Sequence, residues 1–344
     1  MNTRTPYTKK HLIIILLLLN ASLTRLICAH SLVFVHIGPS LPSYFFDAHA
    51  QARLFNPDCP IYLLADQEAL DSCKEVCAHD PNFYGITLES LTRSEAHQTY
   101  LETSAFNHKD CKWGIFWVYA SERFFYLDEF MSQHEVQDVF HLENDIMLYT
   151  DLASLLPTFK KKYPGIAASF DNDYKCTPGF MYIAHKGVMR QLRDCFVHHG
   201  PNIITDMHII GDFKNCNPPE VIDSLPVIMD SYINRHGLKS PTGETTTKPR
   251  IYSNNLESFN SLFDAAALGQ YIGGTHTDAT PGFINGGCLF NPSLLTYEWH
   301  ADEKNRMIPY AVFEGARYRI NNLHIHSKKL KEFSSLKEKR NEIT

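Results

Sequence analysis

Two carboxylates, Glu143 and Asp145, stand two residues apart at the end of an apolar run, in the segment HLENDIMLY. In an extended chain this spacing turns both side chains to the same side. Because a charge at the end of a buried strand is costly to desolvate alone, such a pair needs a partner. A hard divalent cation with oxygen ligands is a natural partner, and it could bridge to the phosphates of a nucleotide. The alternative is a solvent-facing turn that carries two surface acids.

A second group of side chains able to carry chemistry lies near the C-terminus, in the segment NLHIHSKKL. His324 and His326 alternate onto one face of a short strand, and Lys328 and Lys329 follow directly. A lone histidine is most often a structural or surface residue. Here two histidines and two lysines cluster after one strand, so the segment is a candidate for function.

The elements that must position these side chains are predicted by short apolar runs that alternate with helical patterns. Strands are predicted at residues 31–37 and 60–64, and helices at residues 44–55 and 67–77. This β-α-β-α rhythm predicts a parallel sheet with crossover helices, whose ligands sit beyond the carboxyl ends of the strands. Gly38, Pro39 and Asp66 lie at those ends.

The same pattern continues through the middle of the chain and then weakens. Further strands are predicted at residues 138–149 (with an acidic interruption), 165–170, 179–184 and 320–326, and helices at residues 116–131, 152–159 and 188–199. From about Asn215 to Pro309, proline, glycine, serine and threonine are frequent. This composition predicts a large irregular insertion toward the C-terminus.

Length and composition limit the classes of protein that fit. The 344 residues suffice for one large α/β domain with a sizeable core. With 44% hydrophobic and 20% charged residues, the chain fits neither a disordered protein nor a polytopic membrane protein. Its formal net charge of -6 argues against a protein that coats nucleic acid, so no nucleic-acid partner is expected. The nine cysteines permit disulfides without fixing their pairing.

The N-terminal segment is typical of a secretory signal. Arg4, Lys9 and Lys10 precede an apolar run at residues 12–19, and a polar stretch leads to Ala29. The run is much shorter than the roughly 20 residues that cross a bilayer, but an uncleaved signal anchor and a buried first helix remain alternatives. We predict an exported protein that contacts a membrane only through this segment, if it is uncleaved. The predicted divisions are a signal at residues 1–29, one domain at 30–330 and a charged tail at 331–344.

Four motifs in order resemble the GT-A fold of glycosyltransferases that use nucleotide-sugar donors. ENDIMLY followed by Asp-Leu-x-x-Leu-Leu looks like the DxD region, with Glu143 where the commonest form has Asp. TPGFMYIAHKGVM resembles the glycine loop and strand that follow, ITDMHIIGDF the xED motif, and NLHIHSKKL the C-terminal histidine motif. The resemblance covers roughly residues 31–329 as separate motifs. It implies an α/β GT-A fold: a mixed, mainly parallel sheet flanked by helices.

The resemblance also implies a donor site built around Mn²⁺ or Mg²⁺. Asp145 would be the direct ligand, with Glu143 on the ribose or a coordinated water, and His326 favoured over His324 to complete the metal shell. The lysines after the histidines would bind the diphosphate as point charges. The predicted metal ligands are Asp145, Glu143, His326 and His324, and the predicted donor-binding residues are Glu143, Asn144, Asp145, Gly38, Arg123, Lys328 and Lys329.

Several of these roles compete with structural ones. Asp206 would be the general base of an inverting enzyme, but a plain helix N-cap explains this position equally well. Arg123 could reach the donor phosphates, and a salt bridge is at least as good an explanation. On the acceptor side, Gly179 would admit close approach, while Asp264 and Gln270 would contact sugar hydroxyls. For Asp264 a helix N-cap is the favoured explanation.

The function implied is a metal-dependent hexosyl- or pentosyltransferase. It would move a sugar from a UDP- or GDP-sugar to a glycan, protein or lipid acceptor. A related nucleotidyltransferase is a second hypothesis, but it would want a glycine-rich and basic loop after the first strand, which HIGPSLPSYF lacks. The third is a non-catalytic binding protein of the same fold, a hypothesis to which Glu143 in place of Asp gives weight.

Overall fold

A seven-stranded sheet forms the centre of the computed structural model, which describes residues 30–105, 114–202 and 204–336, apart from the side chains of residues 76 and 77. Its strands are β1 (Ser31–His36), β2 (Ile61–Ala65), β3 (Phe83–Thr87), β4 (Val139–Leu142), β6 (Ile166–Asn172), β7 (Lys175–Ile183) and β8 (Ile222–Ser224). They lie in the order β3-β2-β1-β4-β7-β6-β8. Strand β7 is antiparallel to β4 and β6, and the other neighbouring pairs are parallel. The predicted fold class, a mixed and mainly parallel sheet flanked by helices, is confirmed.

Ten α-helices connect or flank the strands in the described part of the chain. They are α1 (Tyr44–Phe55), α2 (Gln67–Cys77), α3 (Glu95–Thr103), α4 (Gly114–Gln133), α5 (Leu152–Lys162), α6 (Lys186–His199), α7 (Asp206–Cys216), α8 (Asp230–His236), α9 (Leu256–Phe259) and α10 (Ala267–Gly273). Helix α5 begins where the sequence predicts it, because Oδ1 of Asp151 accepts a hydrogen bond from the Ala153 amide at 3.0 Å.

The central strands are short apolar runs because they are covered on both faces. Leu32, Val33 and Phe34 of β1 are fully buried, and so is Phe140 of β4. The Phe140 ring meets Phe159 of α5 edge to face, with centroids 5.0 Å apart. Burying each such aromatic side chain contributes about 1.5–3 kcal/mol, so this core fixes the strand ends that carry the polar residues.

Two smaller sheets complete the fold, and one of them was not predicted. Strand β13 (Asn322–His324) pairs antiparallel with β5 (Ile146–Leu148), within the predicted strand segments. The other sheet has the order β10-β11-β12-β9, from β9 (Ser261–Leu262), β10 (Thr296–Ala301), β11 (Met307–Phe313) and β12 (Ala316–Ile320). It therefore replaces part of the predicted irregular insertion. The sequence pattern missed β10 because most of its side chains are exposed or only half buried.

The end of the described chain belongs to the packed fold. Residues 331–336 fall in the predicted charged tail, yet Phe333 is 7% exposed and Ser335 is fully buried. The Gln51 amide of α1 donates to Ser335 Oγ at 2.7 Å and accepts from the Ser335 amide at 3.0 Å. The Tyr149 hydroxyl donates to the Phe333 carbonyl at 2.9 Å. These contacts tie residues 333–335 to the core, so the domain continues beyond residue 330.

The predicted signal at residues 1–29 lies outside the described residues, so the prediction of export stays a prediction. Across residues 30–105, 114–202 and 204–336, no helix has both the length and the apolar character needed to cross a membrane. Cys176, Cys195, Cys216 and Cys288 carry free thiols.

Candidate active site

The acidic segment lies where strands β1 and β4 of the main sheet end, beside the middle of β7. It follows β4 directly, and the Glu143 amide donates to the Gly179 carbonyl of β7 at 2.9 Å. On the other side, Nδ2 of Asn144 lies 3.2 Å from Nδ1 of His36, the last residue of β1. Asp145 is only 4% exposed. The sheet therefore holds this turn rigidly at the carboxyl ends of its parallel strands, as predicted.

Strand β13 brings the C-terminal histidines to this turn from 179 residues away in the chain. His324 pairs with Ile146 of β5, and the Ile325 amide donates to the Asp145 carbonyl at 2.9 Å. As a result, Nε2 of His324 lies 3.1 Å from Oδ2 of Asp145 and 3.2 Å from Oε2 of Glu143. The pairing of β13 with β5 thus joins the two motifs that the sequence singled out.

Three side chains converge closely enough to hold a metal ion. One potential ligand atom from each of Asp145, His324 and His326 lies within 4.8 Å of the other two. Nδ1 of His324 is buried without a hydrogen-bond partner, so this imidazole is not saturated by the protein. A carboxylate with two imidazoles suits Mn²⁺ better than Mg²⁺, because Mg²⁺ prefers oxygen ligands alone. Glu143 lies beside this set but is not one of the three.

The ammonium group of Lys328 contacts Oδ2 of Asp145 directly. Burial works against ionisation of Asp145, but His324 and Lys328 outweigh it and hold the pKa of this carboxyl well below its usual range. Lys328 has a left-handed backbone (φ +63°), and its Nζ lies 5.5 Å from the ring centroid of Tyr44. Lys329 turns away instead, with its Nζ 4.0 Å from Oε1 of Glu332. Of the two predicted diphosphate ligands, only Lys328 faces the acidic turn.

The pKa values of the two histidines shift in opposite directions because the rings have different neighbours. Burial lowers the pKa of His326 to about 3, helped by the nearby His324, so this ring is neutral. Burial also opposes protonation of His324, but Asp145 and Glu143 outweigh it and raise the pKa of His324. The rings are in contact, with centroids 4.3 Å apart. A cation bound here would therefore take the place of the proton on His324.

Arg123 of α4 is the centre of a buried ion-pair cluster. Its guanidinium contacts Oε1 of Glu143 and lies 2.8 Å from Oδ2 of Asp206. The structure therefore shows the salt-bridge alternative for Arg123, and contact with a donor phosphate stays a prediction. Its charge outweighs the effect of burial on Glu143 and leaves the pKa of that carboxyl below its ordinary value.

Asp206 is the first residue of α7, and the N-cap is Thr205, so the N-cap alternative for Asp206 is wrong by one position. Burial raises the pKa of Asp206 to about 6, even though Arg123 acts in the opposite direction. Oδ1 of Asp206 is buried and has no hydrogen-bond partner. A carboxylate with one bound and one unpaired oxygen, and a pKa near neutrality, has the properties that general bases need.

The three residues predicted on the acceptor side surround the histidines. Gly179 packs against the His324 ring, and Gln270 of α10 has its Nε2 2.9 Å from Nδ1 of His326. The Asp264 carboxylate accepts hydrogen bonds from backbone amides, two of them in the first turn of α10. It thus performs a capping function, although Ala266 holds the N-cap position. Contact of these residues with an acceptor stays a prediction.

Two residues of the site were not singled out from the sequence. His36 contacts Asn144, and the Tyr44 ring lies beside the Lys328 ammonium. His36 could have been found by the rule that drew attention to Gly38 and Asp66, because it ends the same strand. Gly38 and Asp66 are also in contact, because the Gly38 amide donates a hydrogen bond to Oδ2 of Asp66. Tyr44 gave no signal beyond its place at the start of a helix.

Replacing Gly179 with alanine is expected to lower the free energy of unfolding by about 1–3 kcal/mol. The added Cβ would lie 2.8 Å from Cδ1 of Ile146 and 2.9 Å from Nδ1 of His324, both closer than a Cβ approaches any non-bonded heavy atom in a packed protein. Urea denaturation measures the loss. Gly287→Ala is the matched control, because its Cβ would find its nearest neighbour at 3.5 Å, an ordinary contact. Equal losses in the two variants would show that the Gly179 contact is not tight.

Comparisons with known proteins give structural matches alone. No family model and no curated protein matches the sequence. Among solved structures, mouse xyloside xylosyltransferase 1 matches 60% of this chain and 90% of its own, at 12% identity and a TM-score of 0.39. The galactosyltransferase LgtC, in complex with donor and acceptor sugar analogues, matches 65% of this chain and 82% of its own, at 13% identity and a TM-score of 0.41. A cytidylyltransferase from Leptospira borgpetersenii matches 59% of this chain and 77% of its own, at 8% identity and a TM-score of 0.37. The matches thus include glycosyltransferases, the class that the motifs resemble, but at these scores they assign no residue a role and place the chain in no family.

Proposed function

We propose that this protein is a metal-dependent glycosyltransferase that uses a nucleotide-diphosphate sugar as donor. The observation that carries the proposal is the convergence of Asp145, His324 and His326 at the carboxyl ends of β1 and β4. Ligands of open α/β sheets bind at this edge. The donor set has the charge and the atom types to hold a divalent cation against a diphosphate.

Each polar side chain of the site has a role in this proposal. Asp145, His324 and His326 hold the cation, and Mn²⁺ fits this set better than Mg²⁺. When bound, the cation supplies positive charge that stabilises the departing nucleoside diphosphate. Lys328 contacts Asp145 in this structure, and its ammonium group is placed to transfer to a phosphate oxygen.

Asp206 is the proposed general base if the enzyme inverts the configuration of the sugar. Its unpaired Oδ1 would accept the proton of the acceptor hydroxyl, and Arg123 would hold Oδ2 in place. With a pKa of about 6, this carboxyl is largely ionised at neutral pH. In a retaining enzyme, Asp206 would instead have another role.

The donor and acceptor are proposed only by class. The donor is a UDP- or GDP-sugar, and the acceptor is a glycan, a protein or a lipid. We also propose that the protein acts outside the cytoplasm, because residues 1–29 have the pattern of a secretory signal.

A panel of UDP- and GDP-sugars with Mn²⁺, scored by released nucleotide, tests the proposal. We expect Mn²⁺-dependent release of UDP or GDP from at least one donor, and its loss on chelation. Calorimetry with UDP or GDP plus Mn²⁺ separates the alternatives. Binding without turnover would support a non-catalytic protein, and release of pyrophosphate from a nucleoside triphosphate would support a nucleotidyltransferase. Absence of both Mn²⁺ and nucleotide binding would contradict the proposed site.

A further inference from the structure

One buried carboxylate connects helix α10 to the strand that carries the histidines. Oδ1 of Asp264 accepts from the Leu268 amide at 2.9 Å, and Oδ2 accepts from the amides of Gly269 at 2.9 Å and His324 at 3.0 Å. Asp264 is only 2% exposed, so these three hydrogen bonds are shielded from water. The position of α10 is therefore fixed relative to β13.

The two elements touch at a glycine. A Cβ on Gly269 would overlap the carbonyl group of His324. Only glycine at this position lets the backbone of α10 rest directly on β13. The next residue, Gln270, is 6% exposed and points its amide at His326. The packing leaves this amide little freedom to move away from the imidazole.

The Gln270 amide faces one ring nitrogen of His326, so the orientation of the amide is coupled to the tautomer of the ring. Its Nε2 lies 2.9 Å from Nδ1 of His326, and its Oε1 is buried without a partner. When Nε2 of Gln270 donates, Nδ1 of His326 must carry the lone pair of the neutral ring. When the amide turns over, Oε1 accepts from a protonated Nδ1, and the lone pair moves to Nε2 of His326. A histidine that binds metal through one nitrogen commonly donates its other N–H to such an acceptor.

We propose that Gln270 is a positioning residue that sets the tautomer of His326 for metal binding, on a helix that Asp264 fixes to β13. The inference rests on the proposed metal site. It gives Gln270 and Asp264 a different role from the acceptor contacts predicted from the sequence. Gln270 acts through its side chain on His326, and Asp264 acts through the backbone of both elements.

Two substitutions of similar size separate this role from packing. Gln270→Glu can only accept a hydrogen bond from His326, so it favours the tautomer in which Nε2 of His326 carries the lone pair. Gln270→Met fills the same space but forms no hydrogen bond with the ring. Gln191→Glu, at an exposed position of α6, adds the same charge far from this contact and serves as the control.

Mn²⁺ binding, measured by calorimetry alone and with UDP or GDP, is the first readout. We expect Gln270→Met to bind Mn²⁺ about 10–100-fold more weakly than the unaltered protein, and Gln270→Glu to bind at least as tightly. Gln191→Glu should bind as the unaltered protein does. Unchanged affinity in Gln270→Met, or equal losses in the Glu and Met variants, would overturn the inference.

The tautomer itself is the second readout, and it needs no metal. Long-range ¹H–¹⁵N spectra of the metal-free protein should show the His326 proton on Nε2, and Gln270→Glu should move it to Nδ1. If the unaltered protein binds no Mn²⁺ but the proton still moves, the proposed metal site fails while the control of His326 by Gln270 stands. A His326 proton that lies on Nε2 in Gln270→Glu as well as in the unaltered protein would refute that control whatever the metal does.

Discussion

Replacing Arg123 with methionine is expected to lower the free energy of unfolding by about 3–5 kcal/mol. The Arg123 side chain is 12% exposed, and its guanidinium contacts two carboxylates, Glu143 and Asp206, that come from separate parts of the chain. Methionine fills much of the same space but leaves Asp206 buried without a cation and Glu143 with His324 alone. Urea denaturation followed by circular dichroism measures the loss.

Two further variants decide whether the ion pairs cause this loss. Arg235→Met removes an arginine that is 70% exposed and lies 3.9 Å from Glu314, so it should cost no more than about 1 kcal/mol. Adding Asp206→Asn to Arg123→Met removes one of the stranded charges and should recover part of the stability. A loss in Arg123→Met no larger than that in Arg235→Met would show that the cluster is not desolvated as described.

The effect of Arg123→Met should also grow as pH rises. Burial already raises the pKa of Asp206 to about 6, and Arg123 opposes that rise. Without Arg123 the folded protein retains a proton on Asp206 to still higher pH, while the unfolded chain releases it near pH 4. Because stability falls with pH wherever the folded state binds more protons, the deficit should be larger at pH 8 than at pH 5.

The central sheet could be predicted because its strands are buried and local in pattern. The apolar runs at residues 31–37 and 60–64 alternate with helices, and the structure places β1 and β2 within a residue of them. Strand β3 was missed because it is an edge strand with exposed side chains, which removes the signal of burial. Strands β10 and β12 were missed for a similar reason, because most of their side chains are exposed or half buried. In both cases the strand is defined by its pairing with neighbouring strands, which the local sequence pattern does not reveal.

The site was predicted less completely, and the limit is long-range contact. The spacing of Glu143 and Asp145 and the alternation of His324 and His326 are local features, so both could be read from the sequence. The pairing of β13 with β5, which brings the two segments together, could not be predicted, because strand register depends on the whole fold. The hydrogen bond between Gln270 and His326 depends on the same assembly, and no local pattern announces it.

Replacing Asp145 with asparagine is expected to weaken Mn²⁺ binding by about 100-fold or more and to reduce any sugar transfer at least as much. Asparagine keeps the shape of the side chain but removes the only negative charge among the three converging residues. His324 and Lys328 would then face each other without the carboxylate that both contact. Adding a divalent cation beside them becomes unfavourable. Calorimetry with Mn²⁺ and the nucleotide-release assay measure the two effects.

Glu143→Gln is the matched comparison, because it removes a carboxylate two residues away that contacts Arg123 and His324. Its oxygens lie outside the converging set, so we expect it to weaken Mn²⁺ binding much less than Asp145→Asn does. The two substitutions remove the same charge from the same turn, which makes their difference a measure of direct ligation rather than of net charge. If Glu143→Gln loses more Mn²⁺ affinity than Asp145→Asn, the cation is held by Glu143 and the arrangement proposed for Asp145 and the two histidines is wrong.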